Sequence, residues 1–380
     1  MASGNINLSQ EIFKAIFLND LNRLKAIFIY YNLYTWNLMD RRGLAPIHYA
    51  AYRGSVEIGS RVNYGNNEPQ NSPLHLAAIK GNTEVCSLLL KLGAKRYVVN
   101  RFDRTAAQMA VDNGHFHCAA IINNFVPMEE VKYYTVPEFT GSEPKLSPAL
   151  AERFYTFIMM TNIHPVKVVF ELPSVFLVND NALKIVNVLH LMSKRQFYKK
   201  EESASTKEML SFKFHYLATI LSEVSKPNDG INKKLTDPKD VFIHKISNSH
   251  NYLQQFLHEC IVKFAFKDST LFRRMVSYMV QGMDSLPPLD IILLLIGNKR
   301  APSVESANNL PIICATCEEI NASKKCKKCK TVQYCNRECL QIHSAMHKKK
   351  CKQICREIKA LQSSNETSTL AKCLSKLRIK

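Results

Sequence analysis

Ser72-Pro73-Leu74-His75-Leu76-Ala77-Ala78, closed by Gly81, has two partners in the same chain: Gly43-Leu44-Ala45-Pro46-Ile47-His48-Tyr49-Ala50-Ala51 with Gly54 after it, and Thr105-Ala106-Ala107-Gln108-Met109-Ala110 with Gly114 after it. A recurrence of this size predicts stacked helical repeats. In each copy a turn former opens a first helix, small alanines allow a close helix neighbour, and a glycine ends the helix by taking a left-handed conformation. Val85, Leu88, Leu89 and Leu90, closed by Gly93-Ala94, supply the apolar face of the second helix in the middle copy. A weaker first copy runs through Ile12, Phe13, Ala15 and Ile16, turns at Asn19-Asp20 and continues at Leu24, Ile27 and Phe28. Gly81 and Gly114 are 33 residues apart, whereas Gly54 and Gly81 are 27 apart. Six residues are therefore missing after Ile58, and residues 54–72 are expected to be the weakest part of the array.

The chain has 380 residues, which favours two or three domains. Hydrophobic residues at 46% and charged residues at 22% exclude a wholly disordered or collagen-like chain. A net charge of +19 keeps anionic partners in view. Met1 to Gln10 lacks the basic and then apolar pattern of a secretory signal, so an intracellular location is expected. The apolar run Ile291 to Ile296 is far shorter than the roughly 18 residues of a membrane span.

The repeat pattern stops after Phe125, and prolines 127, 137, 144 and 148 punctuate a linker. From residue 149 to about 300, apolar residues fall at helical spacing, as in Phe154, Phe157 and Ile158 or Met209, Phe212, Leu217 and Leu221, which predicts a helical middle domain. No phosphate-binding loop, dinucleotide fingerprint or nucleophile elbow occurs there. His164, His190, His215 and His244 stand apart from any Cys or carboxylate at ligand spacing.

Three cysteines are scattered, Cys86, Cys118 and Cys260, and the other nine lie from Cys314 onward. The latter follow the pattern Cys314-x2-Cys317-x8-Cys326-x2-Cys329-x5-Cys335-x3-Cys339-x7-His347-x3-Cys351. Seven thiols and one imidazole are the complement of two closed tetrahedral zinc sites, with no position open for a catalytic water. Cys335 with Cys339, and His347 with Cys351, are four apart and could each share one face of a helical turn. Residues 311–380 hold sixteen Lys and Arg against five Glu. Seven thiolates and two zinc ions would lower that surplus to about +8. Lys324, Lys325, Lys327, Lys328 and Lys330 form one patch, and Lys348, Lys349, Lys350 and Lys352 another. No row of aromatics for base stacking accompanies them, which disfavours nucleic acid.

The repeats resemble ankyrin repeats, in which His48 and His75 would occupy the consensus turn histidine. The cysteine array, with Tyr334-Cys335 and the His347-Lys348-Lys349-Lys350-Cys351 ending, resembles the MYND zinc finger. That resemblance implies interleaved sites: Cys314, Cys317, Cys335 and Cys339 on one zinc ion, Cys326, Cys329, His347 and Cys351 on the other, with His343 outside both. MYND fingers that clasp proline-containing peptides carry Gln and Trp where this chain has Leu340 and Ser344. The order of modules, with Arg104-Thr-Ala-Ala-Gln-Met-Ala110, Tyr133-Tyr134-Thr135, Glu143-Pro-Lys-Leu146 and Thr161-Asn-Ile-His-Pro-Val-Lys167, is similar to the ankyrin repeat and MYND domain-containing family with a single C-terminal finger. The expected fold is mainly α: an ankyrin solenoid of about four copies at 1–127, a linker at 128–148, a helical middle domain at 149–300, a two-zinc finger at 311–352 and a basic tail at 353–380. The resemblance implies a non-enzymatic adaptor, present in cytoplasm and cilium, that helps deliver membrane-bound guanylyl or adenylyl cyclases to cilia, works with chaperone-type proteins, and so affects cyclic-nucleotide and Hedgehog signalling. The competing expectations are a MYND transcriptional corepressor and a methyltransferase-related protein. The second would need SET-domain stretches around the finger, and these are absent from the sequence.

Overall fold

A computed structural model describes residues 14, 44, 48, 51–52, 70–137, 143–178, 180–200, 203–226, 237–280, 286–296, 312–319 and 322–363. The first repeat copy and nearly all of the shortened segment 54–72 lie outside these residues, as does Cys373. The chain divides into two compact units, residues 1–161 with 194–211, and residues 162–193 with 212–380.

In the first unit the repeats form helix pairs: α1 (Pro73–Lys80) with α2 (Thr83–Lys91), and α3 (Ala106–Asp112) with α4 (Phe116–Asn124). Pro73 opens α1, where its missing N–H costs nothing. Gly81 follows α1 at φ 69° and Gly114 follows α3 at φ 79°. Each ends its helix in the same way: Gly81 and Asn82 donate to the carbonyls of Ala78 and Ala77, and Gly114 and His115 to those of Val111 and Ala110. Helices α1 and α3 pack against each other, and the buried alanines 77, 78, 106, 107 and 110 let them approach closely. Leu74, Val85, Leu89, Leu90 and Ile122 fill the remaining core. Cys86 of α2 and Cys118 of α4 touch through their sulfurs at 3.2 Å. They are free thiols, because a disulfide would need about 2.05 Å.

Short helices bury too little apolar surface to fix their register alone, and polar side chains bridge one repeat to the next. His75 Nε2 donates to the Arg104 carbonyl at 3.0 Å. Its Nδ1 accepts from the backbone N–H and the hydroxyl of Ser72 at 3.2 and 2.8 Å. In the following repeat Gln108 takes the histidine's place in a reciprocal cap with Thr105. Buried Asn100 donates to Asn71 and accepts from the N–H groups of Phe102 and Arg104. Asn82 donates to the carbonyls of Ala51 and Tyr52, and Arg96 to those of Asn123 and Phe125. His48, the corresponding residue one repeat earlier, is buried as well.

Residues 128–148 are more than a spacer. They include α5 (Met128–Lys132) and a 3-10 turn at Tyr133–Thr135, and they bury Val131, Tyr134 and Leu146. Lys199 is ion-paired with Glu130, and the Arg195 guanidinium lies 4.3 Å over the Tyr133 ring. Prolines mark where these segments turn, but the apolar residues between them are spent on packing beside α6 (Pro148–Ile158).

The second unit is helical: α7 (Pro165–Glu171), most of α8 (Asn181–Phe197) and of α9 (Ala204–Val224), α10 (Pro238–Asn248), α11 (His250–Val262), α12 (Thr270–Val280) and α13 (Pro288–Leu295). Residues 212–224 of α9 carry buried side chains on several faces, including Phe212, Phe214, Tyr216, Leu217, Ile220 and Leu221, so this stretch is the centre of the unit. Its buried polar tips are satisfied: Tyr216 Oη donates to the Ile163 carbonyl at 2.7 Å, and His215 Nε2 to that of Cys260 at 2.9 Å. Among the described residues no helix is long and apolar enough to cross a membrane.

Two outcomes are expected. A Cβ at Gly81 would sit 2.5 Å from His115 Nδ1 in a left-handed conformation, whereas one at Gly114 meets nothing within 4 Å. Gly81→Ala should cost about 1–3 kcal/mol and Gly114→Ala about 1 kcal/mol, read by hydrogen exchange of residues 70–125 in the full chain. Burial lowers the pKa of His75. A depressed folded value means that the contribution is complete above the unfolded pKa of about 6.5 and is lost as pH falls through the folded value. Protection of α1 and α3 should therefore fall between pH 7 and 5. His75→Gln, which copies the Gln108 cap, should flatten that dependence.

Candidate metal centre

The segment from Ile312 to Cys351 has little apolar material, and its backbone is organised by two similar turns. In the first, the Glu318 N–H donates to the Cys314 carbonyl at 2.9 Å, and Glu318 stands at φ 57°. In the second, the Lys330 N–H donates to the Cys326 carbonyl at 2.9 Å, and Lys330 also stands at φ 57°. Each Cys-x2-Cys pair is thus closed by a left-handed residue directly after its second cysteine. Neither residue is glycine, so each turn carries a steric cost. Short strands β1 (Lys324–Lys325) and β2 (Gln333–Tyr334) pair antiparallel beside the second turn. The Ala315 N–H donates to Gln333 and so ties the first turn to the same hairpin.

Helix α14 (Arg337–Ser363) supplies the remaining side chains. Asn336 opens it, accepting from the Cys339 N–H at 2.8 Å. Cys335 therefore precedes the helix, and only His347 and Cys351 share a helical face at four-residue spacing. Beyond Cys351 the helix continues without a break through Ser363, so the basic tail begins inside it.

The structure brings the eight side chains into two groups. The ligand atoms of Cys314, Cys317, Cys335 and Cys339 all lie within 4.8 Å of one another, and so do those of Cys326, Cys329, His347 and Cys351. Within the first group Cys317–Cys335, Cys335–Cys339 and Cys317–Cys339 sulfurs are 3.5, 3.4 and 3.7 Å apart. In the second, Cys326 and Cys351 are 3.8 Å apart, and Cys329 Sγ is 3.3 Å from His347 Nε2. A tetrahedron of 2.3 Å zinc–sulfur bonds has edges of about 3.8 Å, so both groups fit the ion closely. Every thiol here is free. Hydrogen bonds from Cys317 and Cys339 push the Cys314 thiol well below its ordinary range, and the bond to Cys314 pushes Cys339 well above. Thiols this crowded share protons unless a cation replaces them. His343 belongs to neither group: its Nδ1 pairs with the buried Tyr334 hydroxyl at 3.0 Å, and its ring stacks on that of His347.

The first turn is also held from the middle domain, within the same unit. Asn162 Nδ2 donates to the Cys317 carbonyl at 3.0 Å and to a Glu319 carboxylate oxygen at 3.1 Å. That oxygen lies 3.4 Å from Lys167 Nζ, which also pairs with Glu171 at 3.0 Å. Both residues belong to the stretch Thr161–Lys167, whose His164 caps α7. Helix α10 packs against α14. No spacing rule foretells this bracket, because its partners are about 155 residues apart.

Residues 12–95 and 47–125 match ankyrin repeats, with three copies, and residues 314–351 match the MYND finger. The chain thus joins N-terminal ankyrin repeats to a C-terminal MYND finger. It is 25% identical over 359 residues to Dauer abnormal formation protein 25 of Caenorhabditis elegans, a match that covers 89% of this chain and 88% of the relative. The two groups of ligands are compatible with two structural zinc ions.

Replacing Glu318 or Lys330 by Gly should stabilise the finger by about 0.5–1 kcal/mol, since relief at φ > 0 exceeds the added chain entropy. Asn162→Ala combined with Lys167→Met should hasten metal release from the all-cysteine group about tenfold while leaving the other group unchanged. Cobalt substitution separates the two, because sulfur-only and mixed sites absorb differently.

Proposed function

We propose that the chain is a non-enzymatic adaptor, binding partner proteins through its ankyrin array and its zinc finger. Cys314, Cys317, Cys335 and Cys339 hold one zinc ion, and Cys326, Cys329, His347 and Cys351 the other. The observation that carries this reading is the grouping of all eight ligands into two complete quartets. A zinc ion with four protein ligands has no place for a water or a substrate, so its work is to hold the finger in shape. Both modules are interaction modules.

The finer reading follows the family resemblance. The chain would help deliver membrane-bound nucleotide cyclases to cilia, in company with chaperone-type proteins, and so act on cyclic-nucleotide and Hedgehog signalling from cytoplasm and cilium. The C. elegans relative's name records an effect on dauer formation, which suits a signalling role. Affinity purification from ciliated cells, with and without residues 1–127, tests this: a membrane-bound cyclase should be recovered with the full chain and lost on deletion. Equal recovery with both forms would place the contact elsewhere, and recovery of chromatin proteins alone would favour the corepressor.

Metal analysis of the full chain under reducing conditions should give two zinc ions. Cys326→Ser should abolish one of them and the order of the finger while leaving hydrogen-exchange protection of residues 70–125 intact.

A further inference from the structure

The hairpin and α14 enclose a groove of about 870 Å³. Five cations line it: Lys327 and Lys328 from the second turn, and Lys348, Lys352 and Arg356 from successive turns of the helix. All five are exposed, and none has an ion-pair partner among the described residues. Leu340 and Tyr334 supply apolar floor, and the wall beneath includes Cys326, His347 and Cys351 of the second quartet. Among the described residues no carboxylate lines the groove. Those of the same helix are turned to other partners, Glu338 to Asn336 and Glu357 to Gln353.

Five like charges crowded around one concavity repel one another, and no carboxylate among the described residues that line it offsets that cost. From Leu340 to Arg356 the helical wall is about 24 Å long, the reach of about seven residues of extended chain. We infer that this groove is the docking site for an acidic protein segment, an extended run of Asp and Glu with an apolar side chain seated on Leu340. The inference rests on the adaptor reading and adds the partner's chemistry to it. Other polyanions suit the site less well. Nucleic acid would need exposed aromatic faces for its bases, and Tyr334 is buried with its hydroxyl bound to His343. A bilayer surface favours a convex face that it can lie against, and this surface is concave. The chain itself, with a net charge of +19, is a poor source of the segment.

Fluorescence anisotropy on the full, zinc-loaded chain tests the inference. The probe is a labelled seven-residue peptide of Glu and Asp with one central Leu; the control replaces every acid by its amide. The acidic peptide should bind, and the affinity should fall steeply with salt. Lys348→Glu with Lys352→Glu should weaken it at least tenfold, whereas Lys91→Glu, at an exposed position of α2, should leave it unchanged. Leu340→Asp should weaken it comparably, which a diffuse charge effect would not. Zinc content at two ions per chain verifies that each variant keeps the finger. No binding at low salt, equal loss with Lys91→Glu, or no effect of Leu340→Asp would overturn the inference. So would tighter binding of single-stranded DNA or phosphatidylserine vesicles at the same residues. The adaptor reading fails separately, if the full chain recovers no partner protein from ciliated cells.

Discussion

Four sulfurs within 4.8 Å of one another, three of them 3.4–3.7 Å apart, cannot all ionise without a cation between them, and they cannot spread while the turns around them are closed. That constraint organises the C-terminal third of the protein. A segment of about forty residues has no adequate apolar core, a lack that metal–ligand bonds at the two quartets would make good. The consequence reaches outward through the backbone. Cys339 lies in the first turn of α14, His347 and Cys351 lie two and three turns later, and α14 in turn packs on α10. Metal, helix and middle domain form one chain of dependence.

The repeat array solves a related problem by other means. Its helices have seven to nine residues each, too short to persist alone. Buried alanines provide closeness but little area, and the polar bridges of His75, Asn82, Arg96 and Asn100 set where each repeat sits on the next. These bonds are directional, so a slip of one residue would break several at once and leave buried polar groups unpaired.

Much of this could be read from the residues. Spacing of Pro73, Ala77 and Gly81, repeated at Ala106, Ala110 and Gly114, carries the array because each position has a local physical cause. The cysteine order is equally informative, since ligand chemistry leaves few other uses for such a cluster. Three features were not legible. Residues 128–148 look like spacer because prolines dominate them, yet Val131, Tyr134 and Leu146 are buried by contacts that no local rule anticipates. Cys335 shares its spacing with helical pairs but sits outside α14, because Asn336 caps the helix one residue later. The bracket of Asn162 and Lys167 on Glu319 depends on the path of the whole middle domain.

The unbroken length of α14 has a mechanical meaning. Twenty-seven residues make a rod of about 40 Å. Near one end it carries side chains of both ligand groups, and α10 gives it a second bearing. Such a rod behaves as a lever with its fulcrum at the two ligand groups. A small rotation of either coordination tetrahedron would be magnified along its length, so the oxidation or loss of a single cysteine would be felt as displacement far from the sulfur that changed.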